Sequence, residues 1–495
     1  MSAAAFAPLP PGGAGGGRHQ PPCVTVSASP NATTIPPMPH PTAVLNVVGL
    51  TQAMLAHAPN LRRLADDGHV IELAPTLPAV TCTVQASMLT GAPPREHGIV
   101  ANGWYFRDIA EVRFWNRSNH LIEAEQLWQT ACARDGTVTC ANLFWWHNTY
   151  ASADVVLNVR PMYKADGRKI PDCYSQPAQL RDALQGELGP FPLFHYWGPL
   201  ADITSTRWIV DAARHVRERH DPTLMLVYLP HLDYPLQKWG PDDARIAGEV
   251  ASLDAELGRL IDELHAHGRR VLIVSEYAVE PVHEAVAINR MLREAGLLAV
   301  RDEDGHELLE AGDSTAFAVA DHQVAHVYVN DAAQLNRVAG LCRATAGVEQ
   351  VLDRDALRAL GLDHPRSGEL VLVAEHGHWF CYDYWLDDGR APDFARTVEI
   401  HRKPGFDPRE LFIDPTLRWP KAQLAWRLFK RNALKLRSLL DVVPLDNSLV
   451  RGSHGRVDQP AGQRPVMITP MPGDNASTPL PCTHVRDAIL AALFD

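Results

Sequence analysis

The chain has no surplus of basic residues and no long uninterrupted apolar run. Its 495 residues include 46 Lys and Arg against 58 Asp and Glu, which gives a formal net charge of −12. A general nucleic-acid-binding protein needs basic surface to displace counterions, so we expect no nucleic-acid partner. No apolar stretch approaches the roughly 18–20 residues of a membrane span. We therefore expect no transmembrane segment. The N-terminus also lacks the basic-then-apolar order of a secretory signal.

Closely spaced cysteines are missing as well. No C-x-x-C pair occurs, and scattered cysteines in a large chain are typical of free thiols in a reducing compartment rather than of a disulfide framework. We therefore predict a cytoplasmic protein. The eight cysteines are Cys23, Cys82, Cys132, Cys140, Cys173, Cys342, Cys381 and Cys482.

The composition changes along the chain and predicts its organisation. Residues 1–40 are rich in Ala, Gly and Pro with almost no charge, so we expect them to be disordered. Residues 41–299 and 371–456 are predicted to form the first and second parts of one core. Residues 300–370 are predicted to be an inserted α+β module. Residues 457–495 are expected to be a Pro- and Gly-rich loop followed by a C-terminal helix.

Buried strands and amphipathic helices alternate in the first part of the core. TAVLNVVGL (42–50), LMLVYLP (224–230) and RRVLIVSEY (269–277) are predominantly apolar, and helical spacing occupies 122–134, 206–220 and 247–268. Such alternation predicts an α/β fold with a mostly parallel sheet covered by helices on both faces. Functional groups in such sheets gather at the carboxyl ends of the strands.

Residues 76–103 carry a hydroxyl at a predicted helix start. Pro78 ends the preceding extended run, Thr81 and Thr83 begin an amphipathic segment, and Gly91 is placed to end it. Helix N-termini attract anions. The sequence thus predicts a hydroxyl beside an anion site, although Thr81 could instead only cap the helix.

The same stretch resembles the nucleophile region of the alkaline phosphatase superfamily. The resemblance rests on Thr90–Gly91, on the HGI of His97–Ile99 and on Asn102. It is strongest to the nucleotide pyrophosphatase/phosphodiesterase branch, which includes type I phosphodiesterases and phosphonoacetate hydrolases. This resemblance implies an alkaline phosphatase-like core, Thr81 as the nucleophile and Asn102 as a substrate-binding residue.

The resemblance also implies two metal sites, which this chain alters. The D-x-x-x-H motif falls on Asp233–Gln237, with Gln in place of His, and the late HG motif falls on His454–Gly455. One site therefore keeps Asp233, Gln237 and His454. This oxygen-rich set favours Mn²⁺ or Mg²⁺ over Zn²⁺, and we expect one weakly held divalent ion there.

The second metal site implied by the resemblance is more depleted. The first-strand Asp falls on Val48, and the Asp-His pair falls on Glu276 and Tyr277. Only Thr81 and Glu276 remain as ligands. In the family an Asn lies three positions after the nucleophile, and this position is Val84 here. His231 could supply a missing nitrogen or could be a hydrogen-bonded core histidine.

Cationic and aromatic residues are dense in 142–172. Four cationic residues are candidates for binding a phosphate or carboxylate: Arg160, Lys164, Arg168 and Lys169. Trp145, Trp146 and Tyr163 would form an apolar wall beside them. A packed, salt-bridged loop would explain the same pattern.

Two further segments carry alternatives. His322 and His326 are four residues apart, as in a helical metal pair, but their segment alternates as a strand and so favours a structural role. Residues 418–440 predict a basic amphipathic helix, which could contact an anionic membrane surface or pack on the core.

These observations predict a metal-assisted hydrolase of phosphodiester, pyrophosphate or phosphonate bonds that uses Thr81 as its nucleophile. Its partner would be a small anionic substrate containing phosphate or phosphonate. The alternative is a catalytically inactive relative that binds an anionic small molecule or a protein partner, because several metal ligands are replaced.

Overall fold

A computed structural model describes residues 38–165, 168–419, 426, 440–471 and 478–495. The prediction of disorder for residues 1–40 lies almost wholly outside the described residues, as does most of the predicted basic helix at 418–440. Both stay predictions.

The strands are, in chain order, β1 (Thr42–Val47), β2 (His69–Ala74), β3 (Gly103–Phe106), β4 (Glu111–Phe114), β5 (Cys140–Leu143), β6 (Val155–Val159), β7 (Met162–Tyr163), β8 (Lys169–Ile170), β9 (Cys173–Gln176), β10 (Leu224–Leu229), β11 (Arg270–Val274), β12 (Glu280–Val286), β13 (Val300–Glu303), β14 (His306–Leu309), β15 (Ala316–Asp321), β16 (Val324–Val329), β17 (Val348–Leu352), β18 (Leu370–Ala374), β19 (Gly377–Phe380), β20 (Gly452–Ser453), β21 (Val466–Thr469) and β22 (Leu480–Pro481).

The α-helices are α1 (Pro59–Asp66), α2 (Thr81–Thr90), α3 (Pro94–His97), α4 (Leu127–Arg134), α5 (Gln179–Leu188), α6 (Leu193–Tyr196), α7 (Ile203–His220), α8 (Asp233–Trp239), α9 (Ile246–Ala266), α10 (Ile288–Glu294), α11 (Leu335–Ala344), α12 (Arg354–Ala359) and α13 (Val485–Phe494). Short 3₁₀ turns occupy Gln52–His57, Asn119–Leu121, Ala332–Gln334, Asp388–Arg390, Pro408–Leu411, Asn447–Leu449 and Cys482–His484.

A nine-stranded sheet forms the centre of the molecule, in the order β22-β2-β21-β11-β1-β10-β5-β6-β9. Strands β11, β1, β10, β5 and β6 run parallel, whereas β21 and β9 are antiparallel to their neighbours. Every residue of β1 and β10 is buried, because helices cover both faces of a parallel sheet. The predicted α/β fold, with a mostly parallel sheet and helices on both faces, is confirmed.

Two expectations about local structure were wrong. The helix predicted at 122–134 is shorter, since α4 begins only at Leu127, after a capping box made by Gln126 and Gln129. Residues 466–469 lie in the predicted C-terminal loop but form β21 between β2 and β11. The reason is that these four residues are buried in the central sheet. The prolines and glycines that predicted a loop lie on either side of them and do not interrupt the strand.

A second layer is built mainly from residues 286–406. Its antiparallel sheet has the order β15-β16-β18-β17 and lies in a separate hydrophobic cluster. A three-stranded sheet, β19-β12-β20, carries the chain from this layer toward residue 454. The hairpin between β15 and β16 turns at His322 and Gln323, next to that sheet.

The expectation of free thiols holds for six cysteines and fails at Cys132, which is disulfide-bonded. Among the described residues, no helix is long and apolar enough to cross a membrane. The free, buried thiols are those of Cys82, Cys140, Cys173, Cys342, Cys381 and Cys482.

Candidate active site

The predicted gathering of polar groups at strand ends is present in the structure. Strand β1 pairs in parallel with both β10 and β11, so the loops after these strands all leave the same edge of the sheet. These loops place Asp233 at the start of α8 and place Glu276 and Tyr277 just after β11. All three side chains are buried. Parallel pairing is therefore what brings residues more than 40 positions apart into one cluster.

Thr81 is the first residue of α2 and faces this cluster. Val80 is the extended residue before the helix, so Thr81 is not the cap itself, and Gly91 ends the helix with φ of 69°. Thr81 is 4% exposed, and its Oγ1 lies 3.1 Å from the Tyr277 hydroxyl. The Thr81 hydroxyl thus lies at the positive end of a buried helix.

Asp233 accepts two hydrogen bonds, one from Tyr277 and one from Gln237. At both positions the family resemblance implies a metal-binding histidine. The Tyr277 hydroxyl donates to Oδ1 at 3.2 Å, and Gln237 Nε2 donates to Oδ2 at 2.7 Å. Burial raises the pKa of Asp233 to about 6, while the bonds from Gln237 and Tyr277 oppose that rise. The carboxyl group therefore titrates close to neutral pH.

Glu276 is held in a similar way on the other side of Thr81. Its Oε1 accepts from Asn46 Nδ2 at 2.6 Å and from Gln85 Nε2 at 2.5 Å. Burial raises the pKa of Glu276 to about 8, against the effect of these two donors. Glu276 is thus mostly protonated at neutral pH. Asn46, from strand β1, was not among the residues singled out from the sequence.

His454 lies between two aromatic rings. Its ring stacks on Tyr277 with centroids 3.6 Å apart, and it packs against His322 at a tilt of 35° with centroids 3.7 Å apart. His454 Nδ1 lies 2.8 Å from Ala79 O, which can only accept, so Nδ1 carries the proton and Nε2 keeps its lone pair. Burial lowers the pKa of His454 well below its usual range, so the ring is neutral.

The Asp233 side of the cluster retains the atoms that a cation would need. Gln237 Oε1 and His454 Nε2 are buried and have no hydrogen-bond partner among the described residues, and His454 Nε2 lies 3.8 Å from Asp233 Oδ1. Two oxygens and one imidazole nitrogen form a donor set that suits one divalent ion.

The Glu276 side does not fit a second ion. Val48 is fully buried in the main hydrophobic cluster and offers no donor atom. Tyr277 is neutral, since burial raises the pKa of its hydroxyl well above its usual range. Glu276 keeps only Oε2 unpaired among the described residues. A dinuclear centre of the kind implied by the resemblance lacks its ligands here.

Asn102, Asp321 and His322 extend the cluster behind Thr81. Asn102 Oδ1 accepts from the backbone N–H of Cys82 at 2.9 Å, and its Nδ2 donates to Asp321 Oδ1 at 3.0 Å. His322 Nδ1 lies 2.8 Å from the same oxygen. Burial raises the pKa of Asp321 to about 6. Asn102 was singled out from the sequence, whereas Asp321 was not.

His322 and His326 have different environments. His322 has the left-handed φ of 61° at the hairpin turn, a conformation that is uncommon for a residue with a side chain and is often found at functional sites. His326 contacts Val100 O through Nε2 and accepts from Gly368 N–H through Nδ1. The structural interpretation suits His326, whereas His322 lines the candidate site.

His231 and the aromatic wall can also be placed. His231 Nε2 lies 2.9 Å from Glu249 Oε2, which favours the core-histidine alternative. Trp145 is fully buried in the main hydrophobic cluster, so its assignment to a pocket wall was wrong. The Trp146 ring instead packs against the Trp115 ring at a tilt of 40°, with centroids 4.8 Å apart.

The predicted cationic residues lie toward the surface. Arg160 and Lys164 are exposed and Arg168 is half-buried; the Arg160 guanidinium lies 5.8 Å from the Tyr174 ring. Arg117, which was not singled out from the sequence, lies over the Trp146 ring. Burial lowers its pKa, while Tyr163 and Tyr196 oppose that shift. Arg117 is half-buried and is therefore a partly desolvated cation close to the aromatic side of the site.

A cavity of about 630 Å³ lies beside the cluster rather than within it. Its lining includes Arg113, Arg301, Arg402 and His401, but not Thr81. The His401 ring contacts the Tyr163 ring, with centroids 5.9 Å apart. The polar cluster around Thr81, and not this cavity, remains the candidate active site.

Comparison with known proteins agrees with the geometry. The family model of type I phosphodiesterase/nucleotide pyrophosphatase matches residues 42–407. The chain belongs to this family. The resemblance to the alkaline phosphatase superfamily is thereby confirmed, and members of the family are metal-dependent hydrolases.

Individual relatives are distant. An uncharacterised pyrophosphatase/phosphodiesterase of Schizosaccharomyces pombe is 23% identical over 236 residues, which cover 46% of this chain and 41% of that protein. Phosphonoacetate hydrolase from Sinorhizobium meliloti 1021, in complex with phosphonoformate, superposes with a TM-score of 0.60 at 16% identity, covering 92% of this chain and 96% of that one. An inactive threonine-to-alanine variant of murine ectonucleotide pyrophosphatase/phosphodiesterase 5, in complex with AMP, gives a TM-score of 0.54 at 13% identity, covering 92% and 94%.

Proposed function

We propose that this protein hydrolyses phosphodiester, pyrophosphate or phosphonate bonds in a small anionic substrate, with Thr81 as the nucleophile. One observation carries the proposal. The Thr81 hydroxyl lies at the buried start of α2 and contacts Tyr277, which in turn donates to Asp233. A hydroxyl with a proton acceptor behind it, at the positive end of a helix, has the arrangement of an activated nucleophile.

The direction of the hydrogen bonds defines a path for the proton of Thr81. Tyr277 has one hydroxyl proton and directs it at Asp233, so Thr81 donates its own proton to the Tyr277 oxygen. As Thr81 Oγ1 bonds to phosphorus and the leaving group departs, that proton moves to Tyr277 while the Tyr277 proton moves to Asp233. Water then bonds to phosphorus as the Thr81 Oγ1–P bond breaks. The proton held on Asp233 returns through Tyr277 to Thr81, and the proton released by water neutralises the expelled leaving-group anion. In the metal-free protein the pKa of Asp233 is about 6, so a part of the carboxylate can accept the proton near neutral pH. A divalent ion on Asp233 would lower this pKa and keep the group ionised.

The environment of Thr81 also stabilises negative charge. The first turn of α2 directs its positive end at the position of the attacked phosphorus. Asn102 orders this turn by accepting from the Cys82 N–H. Arg117 is the half-buried cation on this side, and Arg160, Lys164 and Arg168 stay proposed contacts for an outer part of the substrate.

The residues on the Asp233 side determine the proposed cofactor. Asp233, Gln237 and His454 would hold one divalent ion, Mn²⁺ or Mg²⁺ in preference to Zn²⁺. Such an ion supplies charge stabilisation for the phosphoryl oxygens and leaving group. Glu276, neutral and bonded to Asn46 and Gln85, keeps the other side of Thr81 uncharged.

The comparisons support the nucleophile and the substrate class. The murine neighbour is inactive when a threonine is replaced by alanine, and it binds AMP. The bacterial neighbour is a phosphonoacetate hydrolase bound to phosphonoformate. Both molecules are small and carry phosphate or phosphonate, which matches the predicted anionic substrate.

The test is a pair of threonine variants in the same helix. Thr81→Ala should reduce turnover of bis-p-nitrophenyl phosphate, a nucleoside triphosphate or phosphonoacetate by roughly 100-fold or more, because no other hydroxyl replaces the nucleophile. Thr83→Ala is the control, since Thr83 is also buried in α2 but its hydroxyl has no partner among the described residues. Equal activity of the folded Thr81→Ala variant and the wild type would refute the assignment.

A second candidate function is binding without catalysis. The observation that favours it is the replacement of metal ligands by side chains that bond to one another, as Tyr277 and Gln237 do on Asp233. This candidate predicts no turnover of the three substrate classes with Mn²⁺, Mg²⁺ or Zn²⁺. It also predicts calorimetrically detectable binding of AMP or a phosphonate, weakened by Arg117→Met.

A further inference from the structure

A bulge in the three-stranded sheet brings two neighbouring side chains to one face. Strands β12 and β19 pair in parallel, with Val282 opposite Gly377 and Glu284 opposite His378. Two steps along β12 thus correspond to one step along β19, and His283 is the extra residue. Such a bulge interrupts the ladder and re-aims the side chains around it.

Burial along β12 reflects the bulge. Adjacent residues of a regular strand point to opposite faces, yet His283 and Glu284 are both exposed while Val282 is buried. The bulge therefore turns the His283 imidazole and the Glu284 carboxylate to the same face of the sheet. His378, the partner of Glu284 on β19, lies beside them. One ligand atom from each of His283, Glu284 and His378 lies within 4.8 Å of the other two.

The distances in this cluster suit a small metal ion. His378 Nε2 lies 3.5 Å from Glu284 Oε2. Two ligands of a tetrahedral zinc ion with bonds of about 2.0–2.1 Å are separated by about 3.3–3.4 Å, close to this distance. The His283 ring lies 5.5 Å from the His378 ring by centroids and is tilted by 56°, so a small movement of this exposed side chain completes the set.

The tautomer of His378 is favourable as well. His378 Nδ1 lies 3.2 Å from the carbonyl oxygen of His376. Because a carbonyl only accepts, Nδ1 carries the proton and Nε2 presents its lone pair toward Glu284. Histidine ligands in metal sites are usually oriented in this way by a backbone or carboxylate acceptor on the other nitrogen.

Two glycines leave room for the histidine rings. A Cβ on Gly377 would lie 2.4 Å from His283 Cε1, and a Cβ on Gly347 would lie 2.8 Å from His378 Cδ2. Both glycines have positive φ, of 80° and 81°. The absence of side chains at these positions allows both rings to lie close to the backbone beside Glu284.

We propose that His283, Glu284 and His378 bind one divalent transition-metal ion, with Zn²⁺ preferred and water completing the coordination. Two imidazoles and a carboxylate select Zn²⁺, Co²⁺ or Ni²⁺ over Mg²⁺ and Ca²⁺, which prefer oxygen ligands. The ion would clip β12 to β19. Strand β12 also pairs with β20, which directly precedes His454, so the clip would brace the sheet that leads into the candidate active site. The site is separate from Asp233, Gln237 and His454.

The test is a Zn²⁺ titration of the full chain against a chromogenic chelator. The His283→Ala and His378→Ala variants should each bind Zn²⁺ at this site at least roughly tenfold more weakly, and Glu284→Gln should also weaken it. His376→Ala is the matched control, because His376 is an exposed neighbouring histidine whose backbone carbonyl, not its ring, orients His378. It should leave the affinity within about twofold of wild type.

Co²⁺ provides an independent readout. The His454→Ala parent and its His376→Ala variant should show the visible absorption of tetrahedral Co²⁺, and its His378→Ala variant should lose it. All titrations are done in the His454→Ala background so that the inner site does not contribute. Retained wild-type affinity in both His283→Ala and His378→Ala, or no Zn²⁺ binding by the parent protein at micromolar concentration, would overturn the proposal.

Discussion

The Tyr277 hydroxyl donates a hydrogen bond to Asp233 Oδ1 across 3.2 Å. The resemblance places a metal-binding histidine at the position of Tyr277, so here a neutral donor faces an oxygen that would otherwise hold an ion. A neutral donor stabilises the ionised carboxylate only modestly, which explains why burial still raises the pKa of Asp233 to about 6. The contact weakens the inner metal site and at the same time connects Asp233 to Thr81.

Restoring histidine should strengthen metal binding at the inner site. We expect the native inner site to hold less than one ion per chain, and Gln237→His together with Tyr277→His to raise its occupancy, because imidazole binds divalent metals better than an amide or a phenol. Elemental analysis after purification measures this, in the His378→Ala background to remove the proposed outer site. Gln237→Ala is the control and should lower occupancy. Two tightly held zinc ions in this background before any restoration would show that other residues replace the missing ligands.

Tyr277→Phe tests the proton path without removing the aromatic ring. The variant keeps the stacking on His454 but loses the link between Thr81 and Asp233, so turnover should fall by roughly 10- to 100-fold, the lower range for general acid–base effects. In metal-free protein, with a chelator present, the pH–rate profile should also lose the acid limb that reports the titration of Asp233, near pH 6. Tyr382→Phe removes a buried hydroxyl that has no partner among the described residues, and it should leave the profile unchanged. A normal profile for Tyr277→Phe would exclude the path.

Glu276→Gln should make the protein more stable at alkaline pH. The pKa of Glu276 is about 8 in the folded protein against an ordinary value of 4.5, so the folded state binds the proton more tightly than the unfolded chain. The favourable contribution is complete below about pH 4.5 and is lost as the pH rises toward 8, at up to about 1.4 kcal/mol per pH unit. Gln keeps an acceptor for Asn46 and Gln85 and cannot ionise.

The measurement is the free energy of unfolding in urea from pH 5 to 8, with a chelator present. The advantage of Glu276→Gln over wild type should grow with pH. Glu218→Gln, at an exposed position, should show no such trend. An advantage that is constant across this range would mean that Glu276 is not protonated in the folded state.

Arg409 should be essential for stability. It is fully buried, makes two parallel bonds to Asp383 and donates to Asp407 through Nε. Arg409→Met leaves both carboxylates without this partner, so we expect a loss of about 3–5 kcal/mol in the free energy of unfolding. Arg63→Met breaks an exposed ion pair with Asp262 and should cost less than about 1 kcal/mol. Equal losses in urea unfolding would contradict this account.

The sequence predicted the core of the candidate site but not its surroundings. Asp233 and Glu276 are readable because a buried parallel sheet requires continuous apolar runs, and the residues just after each run lie at the sheet edge. Thr81 was readable because proline and glycine bracket its helix. The bond from Asn46 to Glu276 was not readable, since it depends on the register of β1 against β11. Asp321 and His322 belong to another layer, and only docking of the β15–β16 hairpin brings them to His454.

The sequence by itself determined the α/β class, the strand ends that carry Asp233 and Glu276, and the helix that begins at Thr81, because periodicity and turn residues act within a few positions of the chain. Only the tertiary structure decided which side chains donate hydrogen bonds to Asp233 and Glu276 and where Arg117 lies. It also decided that a bulge places His283 and Glu284 beside His378. These features depend on contacts between residues far apart in sequence. Their distances and the burial that shifts each pKa exist only after the layers have packed together.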